Sequence, residues 1–263
     1  MALTKTEIKE IIELKQKKRR AERGLFLCEG IRLLEESLLS SYRPEQVVFS
    51  PAVISERGKA LITDFNKRGF RIDEVSAKDI ERISDTKSSQ GIAAIYKKPT
   101  PTLEQQTLTR HRRILICDNI GDPGNIGTLM RSAAAFGFTL ILMTPNAAEM
   151  TNPKTIRASM GAFFSVEFIE DIAADRIADI VRETGHSLCV ADASGREIGD
   201  STAVPEKVAL VVGSEADGVS AEFMKTADTI LKIPMSEKVE SLNAAMAGTV
   251  LMFWIHAKGK AGA

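Results

Sequence analysis

The sequence predicts a two-part α/β protein: a small α/β domain, then a larger one built on a buried, mostly parallel sheet. Three observations carry this. Short apolar runs alternate with amphipathic stretches of helical period along nearly the whole chain. In the second half those runs are continuously apolar, as strands covered on both faces require. Between the halves, "YKKPTPTLEQQTLTRHRR", residues 96–113, has two prolines, many polar residues and no apolar periodicity, which marks a linker. The expected boundaries are 1–98 for the first domain, 99–112 for the linker and 113–263 for the second domain.

In the first domain, "LTKTEIKEIIELKQKKRRAER" has the period of one long helix, with Leu3, Ile8, Ile11, Ile12 and Leu14 as its apolar side. The runs "LFLCE", "QVVFS", "FRIDEV" and "GIAAIY" read as strands, and "IRLLEESLLSS", "SERGKALITDFNKR" and "SAKDIERIS" as the helices between them. In the second domain the strands are "ILICD", "LILM", "FFSVEF", "SLCVA", "ALVVG" and "TILKI". The helices include "IGTLMRSAAAF", "IADIVRETG", "AEFMKTA" and the final "SLNAAMAGTVLMFWIHA". Ligands of such sheets sit beyond the carboxyl ends of the strands, so the loops after strands are the places to search.

The 263 residues carry no formal net charge, so a polyanion must be met by a local patch. The 44% hydrophobic content supports a sizeable core. Neither a leader nor a membrane span is expected. Cys28, Cys117 and Cys189 stand alone in apolar stretches, which implies reduced core thiols and a cytoplasmic protein. His111, His186 and His256 lack ligand spacing, so no metal is expected.

Three loops look chemical. The first is "DNIGDPGNIGTLMRSAAAFGF", residues 118–138. It lacks the lysine of a phosphate loop, and Gly121, Gly124 and Gly127 do not form a dinucleotide fingerprint. What remains is a Pro-containing turn, Asn125 as a helix cap or site residue, and Arg131 among apolar neighbours. Gly127 lies four residues before Arg131, on the same helix face, where a sugar could approach the guanidinium. The second, "ALVVGSEADGVS", places Glu215 in a glycine-rich turn after a buried strand. The third, "LKIPMSEKVESLNAAMAG", sets Glu240, Ser241 and Asn243 before a small-residue helix, beside apolar Ile233, Met235 and Leu242. The ligand expected there is a nucleoside without phosphates, held by apolar contact and a few hydrogen bonds.

Together, "NIGTLMR", "VVGSEADGVS" and "IPMSEKVESLNAA", in this order, resemble the three motifs of the SpoU (TrmH) branch of the SPOUT RNA methyltransferases. "KKRRAERGLFLCEGIRLLEESL" and "ISDTKSSQGIAAI" resemble the small substrate-binding domain often fused ahead of that catalytic domain. One departure stands in the second motif, usually Gly-Asn-Glu-Gly-x-Gly and here Gly213-Ser214-Glu215-Ala216-Asp217-Gly218. Alanine would be strained if the turn required a positive φ at 216.

The resemblance implies a doubly wound α/β fold with a deep trefoil knot, a homodimer, and methyl transfer from S-adenosylmethionine to a ribose 2′-hydroxyl of RNA. Ribosomal RNA is the expected substrate; transfer RNA, or an inactive RNA-binding relative, is the alternative. By similarity, Gly213, Ile233 and Leu242 hold the adenosine, with Met235 and Thr144 as lesser contacts. Arg131 acts at the 2′-hydroxyl or the adjacent phosphate, and Asn125, Glu215, Ser241 and Asn243 orient it and the ribose. Arg157 is expected at an RNA phosphate or the cofactor carboxylate. Six of the nine residues from Lys15 to Arg23 are basic: Lys15, Lys17, Lys18, Arg19, Arg20 and Arg23. They form the expected RNA grip, joined by Arg110, Arg112 and Arg113 of the linker.

Overall fold

The computed structural model describes residues 3–199, 202–236, 238 and 241–261. The chain forms two units, Met1–Pro99 with Thr151–Phe164, and Thr100–Met150 with Ser165–Ala263.

In the first unit, Thr4 opens α1 (Lys5–Glu13) through a capping box with Glu7. The expected single helix is broken here, because α2 (Lys17–Arg23) starts afresh after Gln16. Arg20 seals the break: its buried guanidinium turns back and donates to the carbonyls of Leu14 and Lys15, at 2.9 and 2.8 Å. These are carbonyls that the end of α1 leaves unpaired. Then follow β1 (Leu25–Glu29), α3 (Ile31–Leu38), β2 (Pro44–Phe49), α4 (Glu56–Lys67), β3 (Ile72–Glu74), α5 (Ala77–Ile83) and β4 (Ile92–Lys97). The sheet order is β1-β4-β2-β3, with β4 antiparallel to both neighbours. Ile8 and Ile11 of α1, with its C-cap Leu14, pack with Ile80 and Ile83 of α5 over Leu27, Val48 and Ile95.

The second unit starts inside the expected linker. Leu108, on α6 (Gln105–Thr109), is fully buried in that unit's main core, so the linker's polar sequence hides one anchoring turn. Next come β5 (Arg113–Cys117), α7 (Pro123–Phe136) and β6 (Leu140–Met143). The chain then contributes α8 (Pro153–Ala158) and a 3₁₀ turn, Ala162–Phe164, to the first unit. "FFSVEF" is therefore not one strand. Phe163 and Phe164 join an aromatic cluster with Phe26, Tyr42 and Tyr96, and only β7 (Glu167–Ile169) enters the sheet. The second unit finishes with α9 (Ala174–Glu183), β8 (Ser187–Glu197), β9 (Val208–Val212), α10 (Ala221–Thr226), β10 (Thr229–Lys232) and α11 (Ala244–Ala261).

Its six strands are all parallel, in the order β10-β8-β9-β5-β6-β7. The chain runs outward from β5 to β6 and β7, then fills the sheet on the other side of β5. Strand order thus reverses beside β5, and a crevice is expected beyond the carboxyl ends of β5 and β9. The long final helix lies against α7 and β9, and Gly248 makes this possible. A Cβ there would stand 2.4 Å from Leu129 Cδ2 and 3.2 Å from Val212 Cγ2.

Candidate active site

The first two loops leave the sheet at that crevice, and the third leaves β10 at the sheet edge and returns to the second loop at Asn243. After β5, Asp122 caps α7 by accepting from the Asn125 N–H at 2.9 Å, and Pro123 takes the first turn, where no donor is needed. Asn125 is therefore not the cap, and its carboxamide is free to reach across. It donates to Glu215 Oε1 at 2.8 Å. Asn243 Nδ2 donates to the same oxygen at 2.7 Å and to Asn125 Oδ1 at 3.0 Å. The Ala244 N–H donates to Glu215 Oε1 at 3.2 Å, and Asn243 Oδ1 caps α11 by accepting from Ala245 and Met246. One carboxylate so ties the first loop, the second loop and the start of the last helix. A negative group at a helix N-terminus is also favoured by the helix dipole.

The altered second motif is accommodated without strain. Positive φ falls on Gly218, at 69°, and not on Ala216. Ser214 Oγ accepts from the Asp217 N–H at 3.0 Å, and the Ser214 carbonyl accepts from Gly218 at 3.0 Å. Gly213 allows the loop to fold onto itself, since a Cβ would lie 2.3 Å from the Gly218 carbonyl oxygen. One contributor escaped the sequence reading. Asp118, fully buried at the end of β5, accepts from the Ser220 N–H at 2.7 Å and pins the far side of the second loop. Its only sequence signal is a charge closing an apolar run.

Beside this knot of hydrogen bonds lies a cleft of about 220 Å³. Its walls include Val212, Gly213, Leu231, Ile233, Leu242 and Ala247, with Met235, Ser241 and Glu215 also lining it. It is mostly apolar, with strand-end and loop backbone at its edges. That suits a nucleoside and offers no cluster of cations for a diphosphate.

Residues 112–253 match the SpoU rRNA Methylase family. The chain belongs to that family. Residues 5–94 match the MRM3-like substrate binding domain. Over 96% of both chains, this SpoU protein is 28% identical to the 23S rRNA (guanosine(2553)-2′-O)-methyltransferase RlmP of Bacillus subtilis. It is 30% identical to the mitochondrial rRNA methyltransferase 3 of Mus musculus, over 89% of this chain and 68% of that one. The crystal structure of the AdoMet-bound rRNA methyltransferase from Sinorhizobium meliloti superposes with a TM-score of 0.82 at 25% identity, covering 98% of this chain and 96% of that one.

The structure of this SpoU chain brings together most, not all, of the expected site residues. Asn125, Glu215 and Asn243 meet directly; Ser241, Gly213, Ile233, Leu242 and Met235 line the cleft. Thr144 does not line it. It is buried at the end of β6, where its hydroxyl accepts from the Asn119 N–H at 2.8 Å and supports the first loop from behind. Glu240 lies outside the described residues. Arg131 is exposed on α7, about 9 Å along the axis from Asn125. It does not line the cleft, and no hydrogen bond or ion pair holds it among the described residues. Gly127 is buried, so the open surface expected beside Arg131 is absent there.

The basic run departs further from expectation. Arg20 is buried as a helix cap, and Lys15 Nζ donates to the carbonyls of Arg82 and Ser84, closing α5. Arg19 pairs with Glu22 and Glu13, and Arg23 with Glu10 and Glu13. Lys18 is 3.9 Å from Glu22 and exposed; Lys17 is exposed as well. Of the acids that pair with the run, Glu10 and Glu13 come from α1 and Glu22 from α2 itself. In the former linker, Arg112 pairs with Glu206, and Arg113 donates to the Phe136 carbonyl at 2.9 Å. Arg157 belongs to the first unit, bound to Glu29 at 3.2 Å and Asp85 at 2.9 Å.

Proposed function

We propose that this chain transfers a methyl group from S-adenosylmethionine to a ribose 2′-hydroxyl of RNA, with ribosomal RNA as the substrate. The observation that carries this is the junction of three loops on Glu215 beside a nucleoside-sized apolar cleft. The activity of the bacterial relative, and the AdoMet-bound state of the structural relative, agree with it.

The residues present fit the cofactor. Gly213, Ile233 and Leu242 would hold the adenosine by backbone groups and apolar contact, with Met235 at the rim. The bound cofactor supplies a methyl group on an electrophilic sulfonium. The chain must then position a weak nucleophile, and positioning alone can lower such a barrier by several kcal/mol, roughly 7–11 at the limit. Asn125, Glu215 and Asn243 hold the first and third loops in register, and Ser241 supplies a hydroxyl at the mouth. Arg131 serves as a clamp on the phosphate next to the target ribose, because guanidinium binds phosphate bidentately and keeps its proton.

A homodimer belongs to the same reading. Met246, Val250 and Phe253 leave an exposed apolar stripe along α11, at the spacing of one helix face. Phe253 touches Phe136 of α7 edge-on, and Ser132 meets Thr249, so the stripe is continuous with the helix that carries Arg131. A second copy seated there brings Arg131 towards a cleft that it does not line within its own chain. The family also carries the expectation of a trefoil knot through the second and third loops.

The deciding experiment incubates the protein with methyl-labelled S-adenosylmethionine and unmodified ribosomal or transfer RNA, then applies alkaline hydrolysis. Label in alkali-resistant dinucleotides from the ribosomal fraction is the expected result. Label in the bases overturns the ribose assignment, and label confined to transfer RNA overturns the substrate.

A further inference from the structure

Four of the six basic residues of the run, Lys15, Arg19, Arg20 and Arg23, are engaged by carbonyls or carboxylates of the first unit, which turns attention to other surfaces of that unit. A cleft of about 300 Å³ opens in that unit, at the start of α3. We propose that this cleft binds one unpaired nucleotide of the RNA substrate; the inference rests on the methyltransferase reading and locates its grip.

The cleft is built rather than incidental. Glu29, 10% exposed in its side chain, is the keystone. Its carboxylate accepts from the Ser84 hydroxyl, from the Asp85 N–H at 3.1 Å and from Arg157 Nη1 at 3.2 Å. Asp85 binds the other amino group of Arg157 at 2.9 Å. The guanidinium is thereby fixed in plane and orientation with part of its surface open to the cleft, as stacking on a base requires. Gln90 Oε1 accepts from the Ile31 N–H at 2.8 Å, which secures the other wall. Gly30, at φ 99°, provides the sharp turn between β1 and α3.

The rest of the lining matches the parts of a nucleotide. Met160 is 43% exposed and held at φ 50°, a conformation that costs a non-glycine residue. An exposed thioether at a strained position in a cleft wall is an apolar platform for the face of a base. Ser88 offers a hydroxyl to a base edge or a 2′-hydroxyl, while the Thr86 hydroxyl is spent within the wall, donating to the Ser88 carbonyl at 3.2 Å. Arg32, exposed and unpaired among the described residues, stands at the first turn of α3, where helix amides also favour an anion, and provides the phosphate contact. Platform, oriented guanidinium, hydroxyl and free cation are the complement expected for single-stranded RNA.

The test uses the full chain and in vitro-transcribed, unmodified large-subunit ribosomal RNA, with binding measured across a salt series. Arg32→Ala should weaken binding roughly tenfold and lower the salt slope by about 0.7. Met160→Gly, which relieves the backbone rather than threatening the fold, should weaken binding roughly three- to tenfold and leave the slope unchanged. S-adenosylmethionine affinity by calorimetry should not move in either variant. Unchanged RNA affinity in both variants, while the parent binds, overturns the cleft and leaves the enzyme reading intact. A parent that binds no RNA and incorporates no methyl overturns both.

Discussion

Asn243 donates to Glu215, 28 positions earlier in sequence, at 2.7 Å, and the same amide group donates to Asn125 at 3.0 Å. The three side chains form a closed triangle, so each holds the other two in place. Glu215→Gln keeps the shape and removes the charge. All three groups are largely solvated, so the expected stability loss is only about 0.5–1.5 kcal/mol. Turnover should fall far more, roughly tenfold to a hundredfold, because displacement on the order of 1 Å is costly at a reacting centre. Single-turnover rates beside thermal melts separate the two effects. A double-mutant cycle of Glu215→Ala with Asn243→Ala should show coupling of roughly 0.5–3 kcal/mol.

No hydrogen bond or ion pair engages Arg131 among the described residues, which makes it a clean probe. Arg131→Ala should leave the melting temperature and S-adenosylmethionine affinity unchanged and abolish methyl incorporation. Arg131→Lys should recover little, since an ammonium cannot form the paired hydrogen bonds of a guanidinium to phosphate. Activity equal to the parent in Arg131→Ala would remove this residue from the mechanism.

Two glycines separate packing from site chemistry. At Gly248 the obstacle to a Cβ is a side-chain methyl of Leu129, which can shift. At Gly213 it is the backbone of Gly218 and Val219, at 2.3 and 2.6 Å, which cannot move without opening the loop. Gly248→Ala should cost about 1–3 kcal/mol by overpacking, with cofactor affinity retained. Gly213→Ala should lose cofactor binding outright, read by calorimetry at a temperature where the variant remains folded.

The basic helix gives an opposite pair of outcomes. Arg20→Ala strips two carbonyls of their buried donor and should destabilise the first unit by roughly 2–4 kcal/mol. Lys17→Ala with Lys18→Ala touches only solvated amines and should leave stability within about 0.5 kcal/mol of the parent. Urea titration of both proteins checks the contrast.

That contrast shows where sequence was a good guide. Strands such as "LFLCE" and "LILM" are legible to the residue, because apolar runs this short fit a covered strand and are too short for a buried helix. Glu215 and Asn243 are legible as polar groups after strands, where such sheets bind ligands. Arg20 is not, because its burial depends on carbonyls freed by a helix end that propensity alone does not locate. Arg157 is not either. Its partners Glu29 and Asp85 lie more than 70 residues away, and the segment that carries it folds with the first unit through Phe163 and Phe164. Thr144 is expected as a lesser cofactor contact from the family resemblance alone, and in the structure its hydroxyl accepts from the Asn119 amide. Pairing over such distances leaves no local pattern.

Acid sensitivity should come from a pair of histidines in the second unit. His186 Nε2 donates to the His111 carbonyl at 2.7 Å, which fixes its tautomer, and its Nδ1 faces the Thr184 hydroxyl at 2.9 Å. His111 Nδ1 meets the Thr139 hydroxyl at 2.7 Å. Burial lowers the pKa of both; Lys207 adds to it at His186 and Arg110 at His111, while Glu167 works the other way at His111. A histidine whose folded pKa lies below its unfolded value, near 6.5, takes up its proton more readily once unfolded. The stability from the neutral pair is therefore complete above about pH 6.5 and drains away as pH falls below it. Denaturation midpoints should hold level from pH 8 to 7 and decline towards pH 5. The double variant His111→Gln with His186→Gln should start lower and lose part of that slope. Glu167, 55% exposed and 3.6 Å from His111 Nε2, can compensate a charge on His111, so His186→Gln alone should flatten the curve more than His111→Gln alone.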